Sequence, residues 1–209
     1  MASKQSLPDG IVILDFGGQY CHLIARRVRE MNVYSEILPN DAALEDIAGL
    51  SDFTNVKGII LSGSPASVRE KGSLQLNPAI LELQIPVLGL CYGHQLLASM
   101  HGGEVGRGKV REYGITEIFV DEAIGVLQGL DSKEQVWMSH GDTVFKAPSG
   151  FKVLAHTEAC PVAAMYYDDK QLWGLQWHPE VVHTRHGDKM LYNFIFNICG
   201  CQTNWKPLD

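Results

Sequence analysis

The chain has 209 residues, of which 45% are hydrophobic and 20% charged, and its formal net charge is −7. This composition predicts one globular domain with a sizeable core, while the acidic balance argues against nucleic acid and membrane surfaces as partners. No apolar run reaches the roughly 18 to 20 residues that span a bilayer. The first ten residues also lack the apolar core of a signal peptide, so we expect a cytoplasmic protein.

The first half of the chain alternates short runs of Ile, Val and Leu with stretches of helical period. This pattern is typical of strands and crossover helices in a parallel sheet. Strands are predicted at residues 11–14, 33–38, 58–61 and 86–90, and helices at 20–31, 77–83 and 94–100. The apolar positions of the first helix fall on one stripe, which places four charged residues on its outer face. These are Arg26, Arg27, Arg29 and Glu30.

The second half of the chain has alternating patterns that indicate antiparallel pairing. Strands are predicted at 116–120, 136–139, 151–156, 162–166 and 172–177, followed by a closing helix over 190–198. The predicted fold class is therefore α/β, with a mixed, mostly parallel central sheet and flanking helices. Periodicity is lost after Cys201, so residues 1–201 are interpreted as one domain and residues 202–209 as the start of a linker.

The segment Gly89-Leu90-Cys91-Tyr92-Gly93 lies between a predicted strand and a predicted helix. It has the form of a strand–turn–helix nucleophile elbow with sulfur in place of oxygen. Free N–H groups and the dipole at the start of a helix stabilise a thiolate over a thiol. Cys91 is therefore the candidate nucleophile. The other four cysteines lie in no comparable turn, and an odd total of five argues against a disulfide framework.

A thiol nucleophile needs a base and a group that orients the base, and Trp177-His178-Pro179-Glu180 supplies both residue types. Proline favours extended backbone at His178, which predicts that His178 and Glu180 project to the same side. Catalytic groups of open α/β sheets gather at the carboxyl ends of strands, so we expect this pair to face Cys91. A lone His-Pro-Glu is more often structural, and the interpretation depends on its pairing with the cysteine elbow.

The turn Ser62-Gly63-Ser64-Pro65 follows the third predicted strand. It can offer backbone N–H groups to an oxyanion, and the N–H of Tyr92 can supply the second donor. Taken alone, the segment is an ordinary β-turn.

Three segments together resemble the class-I (triad) glutamine amidotransferase family: LSGSP at 61–65, GLCYGHQ at 89–95 and WHPE at 177–180. Within that family, four more segments resemble the amidotransferase domains of GMP synthases. They are residues 14–20, 26–30, 137–142 and 178–184, and the resemblance covers essentially the whole chain.

The resemblance implies a flavodoxin-like fold and the hydrolysis of L-glutamine to glutamate and ammonia. By this resemblance, Cys91 attacks the carboxamide, His178 carries the proton to the leaving ammonia, and Glu180 orients His178. The backbone N–H groups of Ser64 and Tyr92 bind the oxyanion. The residues that match the family's glutamine-binding positions are Gly63, Gln95, Ser139 and His140.

One position departs from the family pattern, because the family usually has a second glycine where this chain has Ser64. If that residue needs a positive φ, serine costs about 1 kcal/mol there. The resemblance further implies a synthetase (ATP pyrophosphatase) part, fused in cis or present as a separate subunit, that aminates XMP to GMP. ATP and Mg²⁺ belong to that part, and this domain itself needs no cofactor. The resemblance leaves open a homodimer formed through that part.

Other functional assignments find less support in the sequence. Gly17-Gly18 lacks the G-x-G-x-x-G pattern of a dinucleotide loop, and the C-terminal histidines and cysteines lack the spacing of a zinc site, so no metal is predicted. Arg107, Lys109 and Arg111 form either a solvated charge run or a patch that docks another domain.

Two alternatives to the leading function stay open at the level of sequence. The same chemistry can serve another acceptor, as in the synthesis of carbamoyl phosphate or anthranilate. A non-catalytic interaction module on the same scaffold is the other alternative, and the intact Cys-His-Glu set argues against it.

Overall fold

The computed structural model describes residues 6–207. Residues 1–5 of the N-terminal segment and residues 208–209 of the predicted linker therefore lie outside the described residues. Within the described range, nine strands form one sheet. The strands are β1 (Asp9–Asp15), β2 (Tyr34–Pro39), β3 (Asn55–Leu61), β4 (Val87–Leu90), β5 (Glu104–Val120), β6 (Lys133–Lys146), β7 (Lys152–His156), β8 (Ala164–Tyr167) and β9 (Leu172–Leu175).

The strand order in the sheet is β2-β1-β3-β4-β9-β8-β7-β5-β6. The pairings from β2 to β9 are parallel, and those from β9 to β6 are antiparallel. The five parallel strands follow the doubly wound order of flavodoxin-like folds. The predicted mixed α/β sheet is thereby confirmed, but the sheet is not mostly parallel, because four of its eight described pairings are antiparallel.

Helices cover both faces of the sheet. The α-helices are α1 (Cys21–Glu30), α2 (Leu44–Ala48), α3 (Tyr92–Met100) and α4 (Gly187–Tyr192), with 3₁₀-helices at Gly49–Asp52, Pro78–Glu82 and Gly125–Leu127 and a π-helix at Asn193–Ile198. Along β1, Ile11 and Ile13 belong to one buried apolar cluster and Val12 and Leu14 to a second. Since side chains alternate along a strand, the two clusters lie on opposite faces of the sheet. Helix α1 packs on the first cluster and α3 on the second.

The carboxyl ends of β1, β3, β4 and β9 lie side by side. Leu14 pairs with Leu61, Leu61 with Gly89, and Gly89 with Gly174. The segments that follow these strands are 16–20, 62–67, the turn at Cys91, and 176–180, and they meet at one edge of the sheet, where open α/β folds bind ligands.

A long hairpin of β5 and β6 is the largest difference from the predicted elements. These strands have 17 and 14 residues, whereas the sequence predicted only 116–120 and 136–139. Their register passes from Arg107 opposite Asp142 to Glu112 opposite His140. Residues 108–111 therefore bulge out of β5 opposite a single residue of β6, and the bulge re-aims the strand.

The segment that follows β9 covers the outer edge of β6 at residues 135–137. The His178 N–H donates to the Trp137 carbonyl (3.1 Å), and the Arg185 N–H donates to the Gln135 carbonyl (3.1 Å). The Trp137 N–H donates to the Thr184 hydroxyl (3.0 Å). This edge-covering segment, residues 178–185, thus ties the hairpin to the end of β9.

Smaller differences concern the helices. The helix predicted at 94–100 begins earlier, at Tyr92, because Cys91 is its N-cap residue. The closing helix changes from α to π at Asn193, and the predicted helix at 77–83 is a 3₁₀-helix.

Residues 202–207 form neither helix nor strand, yet they are anchored to the domain. The Gln202 N–H donates to Asp9 Oδ2 (3.0 Å), and the Asp9 N–H donates to Asn204 Oδ1 (2.9 Å). The Trp205 N–H donates to the Asn32 carbonyl (3.2 Å). The placement of the domain boundary near residue 201 stays a prediction.

No helix in the described part of the chain is long and apolar enough to cross a membrane. Residues 6–207 also contain no group of three or more His, Cys, Asp or Glu side chains that could hold a metal ion. The five cysteines are all free thiols.

Candidate active site

Cys91 occupies a strained turn between β4 and α3. Its backbone has φ 53° and ψ −103°, a conformation that L-residues avoid unless the surrounding structure imposes it. Two glycines make the turn possible, because a Cβ on Gly89 would lie 2.5 Å from the carbonyl carbon of Gly93, and a Cβ on Gly93 would lie 2.7 Å from Cβ of Leu61. The structure therefore has the geometry of the predicted elbow.

The Cys91 side chain lies at the floor of the candidate site and is 4% exposed. Its sulfur is 3.5 Å from the Ser139 carbonyl oxygen, to which the thiol can donate. Helix α3 starts at the next residue, so its free N–H groups and dipole favour negative charge on the sulfur. By contrast, burial raises the pKa of Cys21, Cys160 and Cys201 to about 12, which keeps those thiols protonated.

His178 and Glu180 form a buried pair at the end of β9. The Nδ1 atom of His178 is 2.7 Å from Oε1 of Glu180. The pair does not arise from an extended strand, as the sequence analysis expected, because residues 176–177 bend and residues 179–180 form a turn. The turn nevertheless brings both side chains together. Since Nδ1 is engaged by the carboxylate, Nε2 is the imidazole nitrogen left for chemistry.

The charge state of His178 follows from its neighbours. Burial alone lowers the pKa of His178, but the Glu180 carboxylate and the Cys91 sulfur outweigh burial and raise the pKa to about 11. An imidazolium between a carboxylate and a sulfur is the arrangement that stabilises a cysteine thiolate.

Gly63 lies between the nucleophile and the histidine. A Cβ built on Gly63 would be 3.1 Å from Cε1 of His178 and 3.6 Å from Cβ of Cys91, so a side chain here would enter the site. The following residue, Ser64, does not have a positive φ, and the strain considered for serine at this position is therefore absent. The side chain of Tyr92 is buried and its hydroxyl donates to the Leu74 carbonyl (2.7 Å), which leaves only its backbone N–H to act in the site.

Gln95 and Ser139 both line the cavity above Cys91. Gln95 is one helical turn after the nucleophile, and its N–H donates to the Cys91 carbonyl (3.1 Å). The Gln95 side-chain amide donates to the Asp142 carbonyl (2.9 Å) and to Gln176 Oε1 (3.1 Å). The amide of Gln95 is thus committed to holding the β6 backbone.

His140 also lines the cavity, but its ring is fully engaged elsewhere. Its Nδ1 is 2.7 Å from the Asp142 carbonyl and its Nε2 is 2.9 Å from Oε2 of Glu112. Both neighbours are hydrogen-bond acceptors, one on β6 and one on β5. Burial opposes ionisation of Glu112, yet hydrogen bonds from His140 and Thr157 lower the pKa of that carboxyl overall. His140 therefore braces β6 against β5.

The cavity has a volume of about 660 Å³ and is formed by four segments of the chain. They are residues 17–20, residues 63–67 with Glu70, residues 139–142, and Arg111 with Tyr113 of β5, together with Cys91, Gln95 and His178. Asp142 joins two of these segments, because its carboxylate accepts from the Ser67 hydroxyl and pairs with Arg69 at 3.5 Å. Arg111 lines the cavity, whereas Arg107 and Lys109 do not.

Three residues of this site were missed by the sequence analysis. The ring of Tyr20 contacts the His178 imidazole, Asp142 joins two walls of the cavity, and Arg27 donates to the Glu180 carbonyl, although it was expected to face outward. The partners of Tyr20 and Arg27 lie more than 150 residues away in sequence, and no local pattern signals such a contact.

The family model for Glutamine amidotransferase class-I matches residues 12–198. Among curated proteins, the chain is 49% identical over 196 residues to the GMP synthase (glutamine-hydrolyzing) of Clostridium tetani, with 94% of this chain and 38% of that protein covered. It is 47% identical over 198 residues to the enzyme of the same name from Clostridium perfringens, with 95% and 38% covered. The chain thus spans a little over a third of the length of these relatives.

Two solved structures are similar to this chain. The crystal structure of a candidate GMP synthase subunit from Thermoplasma acidophilum superposes with a TM-score of 0.81 at 32% identity, covering 93% of this chain and 96% of that one. A glutamine amidotransferase of Thermotoga maritima superposes with a TM-score of 0.67 at 20% identity, covering 95% and 88%, and at that identity it supports the fold alone.

Proposed function

The chain belongs to the class-I glutamine amidotransferase family, and on that premise we propose that it hydrolyses L-glutamine to glutamate and ammonia in the cavity around Cys91. The observation that carries this proposal is the strained elbow of Cys91 beside the buried His178–Glu180 pair. A non-catalytic module would not need to maintain the strained turn and the buried ion pair together.

In the proposed reaction, the Cys91 thiolate attacks the carboxamide carbon of glutamine and forms a tetrahedral oxyanion. The N–H groups of Ser64 and Tyr92 donate to that oxygen. The C–N bond then breaks as Nε2–H of His178 gives its proton to the leaving nitrogen, which releases ammonia and leaves a thioester on Cys91. Glu180 keeps the imidazole oriented throughout.

In the second half of the reaction, neutral His178 removes a proton from water, and the oxygen attacks the thioester carbon. The C–S bond breaks, glutamate leaves, and the Cys91 thiolate and the His178 imidazolium are restored. We assign Gly63, Gln95, Ser139 and His140 to the walls that hold the substrate. Gln95 and His140 act in this assignment through the backbone that they fix, because their side chains are engaged with β5 and β6.

We further propose that the ammonia passes to a synthetase (ATP pyrophosphatase) part, in cis or as a separate subunit, that aminates XMP to GMP in purine biosynthesis. ATP and Mg²⁺ act in that part, and we propose that the protein works in the cytoplasm. Support comes from the names of the curated relatives, of which this chain spans 38%. Those names favour this acceptor over carbamoyl phosphate or anthranilate synthesis.

The test is chemical labelling of the nucleophile together with a glutaminase assay. We expect a glutamine analogue that carries a diazo-ketone to modify Cys91 stoichiometrically and to abolish glutamate production. Cys91→Ala should remove the activity without unfolding the protein, whereas Cys199→Ala, outside the cavity, is the control. An adduct located by mass spectrometry on Cys21 or Cys160, or substantial activity in Cys91→Ala, would refute the assignment.

A further inference from the structure

Helix α1 and the residue that precedes it contact both members of the His178–Glu180 pair. The ring of Tyr20, which precedes the first residue of α1, lies edge-on to the His178 imidazole with 5.1 Å between centroids and 68° between planes. Two turns later, Nε of Arg27 donates to the backbone carbonyl of Glu180 at 3.0 Å. Residues seven positions apart lie on one stripe of a helix. A single face of α1 therefore reaches both residues of the pair.

The Arg27 contact matters because few hydrogen bonds hold the Glu180 carboxylate. The carboxylate of Glu180 is buried, and its second oxygen, Oε2, has no hydrogen-bond partner among the residues that the structure describes. Its orientation consequently depends on one hydrogen bond to His178 and on the position of its own backbone. Arg27 fixes that backbone through Nε, whereas its Nη1 pairs at 3.1 Å with Glu30, whose side chain is 44% exposed.

The backbone of His178 is already fixed from the hairpin side. Its N–H donates to the Trp137 carbonyl, and its carbonyl accepts from the Thr184 hydroxyl at 2.6 Å. These bonds do not restrict rotation of the imidazole toward or away from Cys91. Tyr20 lies on the cavity side of the ring and limits this rotation.

The platform that carries both contacts is rigid. Four residues of α1 are buried against the core: Cys21, Ile24, Ala25 and Val28. A side chain that projects from such a helix is held more precisely than one that projects from a loop.

We propose that Tyr20 and Arg27 are positioning residues for the proposed glutaminase reaction. Tyr20 keeps Nε2 of His178 directed at Cys91, and Arg27 keeps the Glu180 carboxylate within hydrogen-bonding distance of His178 Nδ1. Neither touches the reacting atoms. This inference rests on the proposed function, and its test includes a readout that does not depend on turnover.

The experiment compares Tyr20→Leu, Tyr20→Phe, Arg27→Met and Glu30→Gln in the full chain. We expect Tyr20→Leu to lower kcat for glutamine about tenfold or more while KM changes by no more than about threefold, and Tyr20→Phe to restore most of the loss. Arg27→Met should lower kcat about fivefold or more. Glu30→Gln removes the partner of Arg27 but keeps the bond to Glu180, and it should stay close to wild type.

The second readout is the pH dependence of the rate at which iodoacetamide alkylates Cys91. This rate reports the thiolate held by the imidazolium. We expect the profiles of Tyr20→Leu and Arg27→Met to shift to higher pH, because a displaced imidazolium stabilises the thiolate less. Thermal unfolding of each variant identifies losses caused by an altered fold.

Three results would overturn the inference. The first is a Tyr20→Leu effect confined to KM, which would make Tyr20 a substrate contact. The others are alkylation profiles that do not shift and equal losses of kcat in Glu30→Gln and Arg27→Met. A wild-type chain that produces no glutamate and is not labelled at Cys91 by the glutamine analogue would instead refute the proposed function. The alkylation profiles would still decide whether Tyr20 and Arg27 orient the pair.

Discussion

Cys91 illustrates how the chain concentrates strain in one residue. A non-glycine residue with φ 53° and ψ −103° costs about 1 to 3 kcal/mol, and the surrounding structure must impose it. The N–H of Cys91 donates to the Leu175 carbonyl (2.8 Å), which ties the turn to β9. The nucleophile is therefore fixed to the strand that leads to His178, and the two residues keep their spacing.

The two residues of the pair have different roles, and their substitutions should differ accordingly. We expect His178→Ala to lower the glutaminase rate by 10² or more, since it removes the proton carrier, and Glu180→Gln to lower it less. Because the Glu180 carboxylate raises the pKa of His178, Glu180→Gln should also lower that pKa. Rates measured against pH, with NMR titration of the imidazole, check both expectations. A larger loss at Glu180 than at His178 would contradict these roles.

The same pair has a predictable effect on stability. The folded pKa of His178, about 11, lies above its unfolded value. The stabilisation from this pair is therefore fully present below about pH 6.5 and is lost as the pH rises toward 11. We therefore expect Glu180→Gln to lower the free energy of unfolding most below about pH 6.5, and progressively less as the pH rises toward 11.

We expect His94 to contribute to the stability of the fold with the opposite pH dependence. It is completely buried, its Nε2 is 2.8 Å from the Val162 carbonyl, and burial lowers its pKa to about 4. A histidine kept neutral stabilises the fold above pH 6.5 and loses about 3 kcal/mol of that contribution as the pH falls to 4. His94→Gln keeps a donor for Val162 without a titrating ring, and urea unfolding should show a smaller acid loss. His22→Gln, on the exposed side of α1, is the control. An unchanged acid loss in His94→Gln would exclude His94 as its source.

At the level of elements, the parallel strands were predictable and the hairpin was not. The aliphatic runs at 11–14, 58–61 and 86–90 are buried on both faces, and such runs have few other structures available. Eight of the twelve residues of β5 before residue 116 are charged or glycine. One face of the hairpin meets solvent, and a bulge interrupts the register. The spacing of hydrophobic residues therefore does not indicate a strand in this part of β5.

The candidate site was predictable to a similar extent. Cys91, His178 and Glu180 follow strands that the sequence identifies, so their meeting at the carboxyl edge follows from topology. The roles of Ser139 and His140 depend on how far the hairpin folds back over that edge. Tyr20 and Arg27 depend on tertiary contacts across the domain, which no local pattern encodes.

The elbow itself can be tested as an element. A Cβ on Gly89 would meet backbone atoms of Gly93 at 2.5 Å, where neither strand nor helix can move away. We therefore expect Gly89→Ala to lower the free energy of unfolding by about 1 to 3 kcal/mol and to displace Cys91 enough to reduce the glutaminase rate. Gly49→Ala has no atom within 4 Å of the new carbon and no positive φ, so it should be neutral. Urea unfolding and activity of the two variants make the comparison. A stable and fully active Gly89→Ala protein would contradict the close packing described here.

On the scale of the whole molecule, the net charge is negative but one part of the surface is basic. Although the chain carries −7, the face beside the cavity exposes Arg107, Lys109 and Arg111. Strand β5 also exposes the apolar side chains of Tyr113 (63%) and Ile115 (61%), and the edge-covering segment exposes Val182 (77%). An exposed apolar area with charged surroundings is typical of a surface that binds another protein. In our proposed function, that protein is the synthetase part.

Coupling between the two parts leads to a further prediction. Ammonia released without an acceptor is wasted, so we expect the chain alone to be a slow glutaminase. The synthetase part with ATP and XMP should raise the rate about tenfold or more, which needs only about 1.4 kcal/mol of differential stabilisation. Lys109→Glu should weaken this stimulation and spare the basal rate, whereas Lys57→Glu, near the amino end of β3, should do neither. Equal rates with and without the synthetase part, measured as glutamate production, would exclude the coupling.

The edge-covering segment has a consequence for misfolding. An uncovered edge strand can pair with a strand of another molecule and start aggregation. Residues 178–185 prevent this at residues 135–137 of β6, and the same segment carries His178 and Glu180. Any partial opening that frees the edge of β6 must therefore also withdraw the histidine from Cys91. Loss of activity should precede turbidity whenever aggregation begins at this edge, so the enzymatic rate is an early indicator of storage damage.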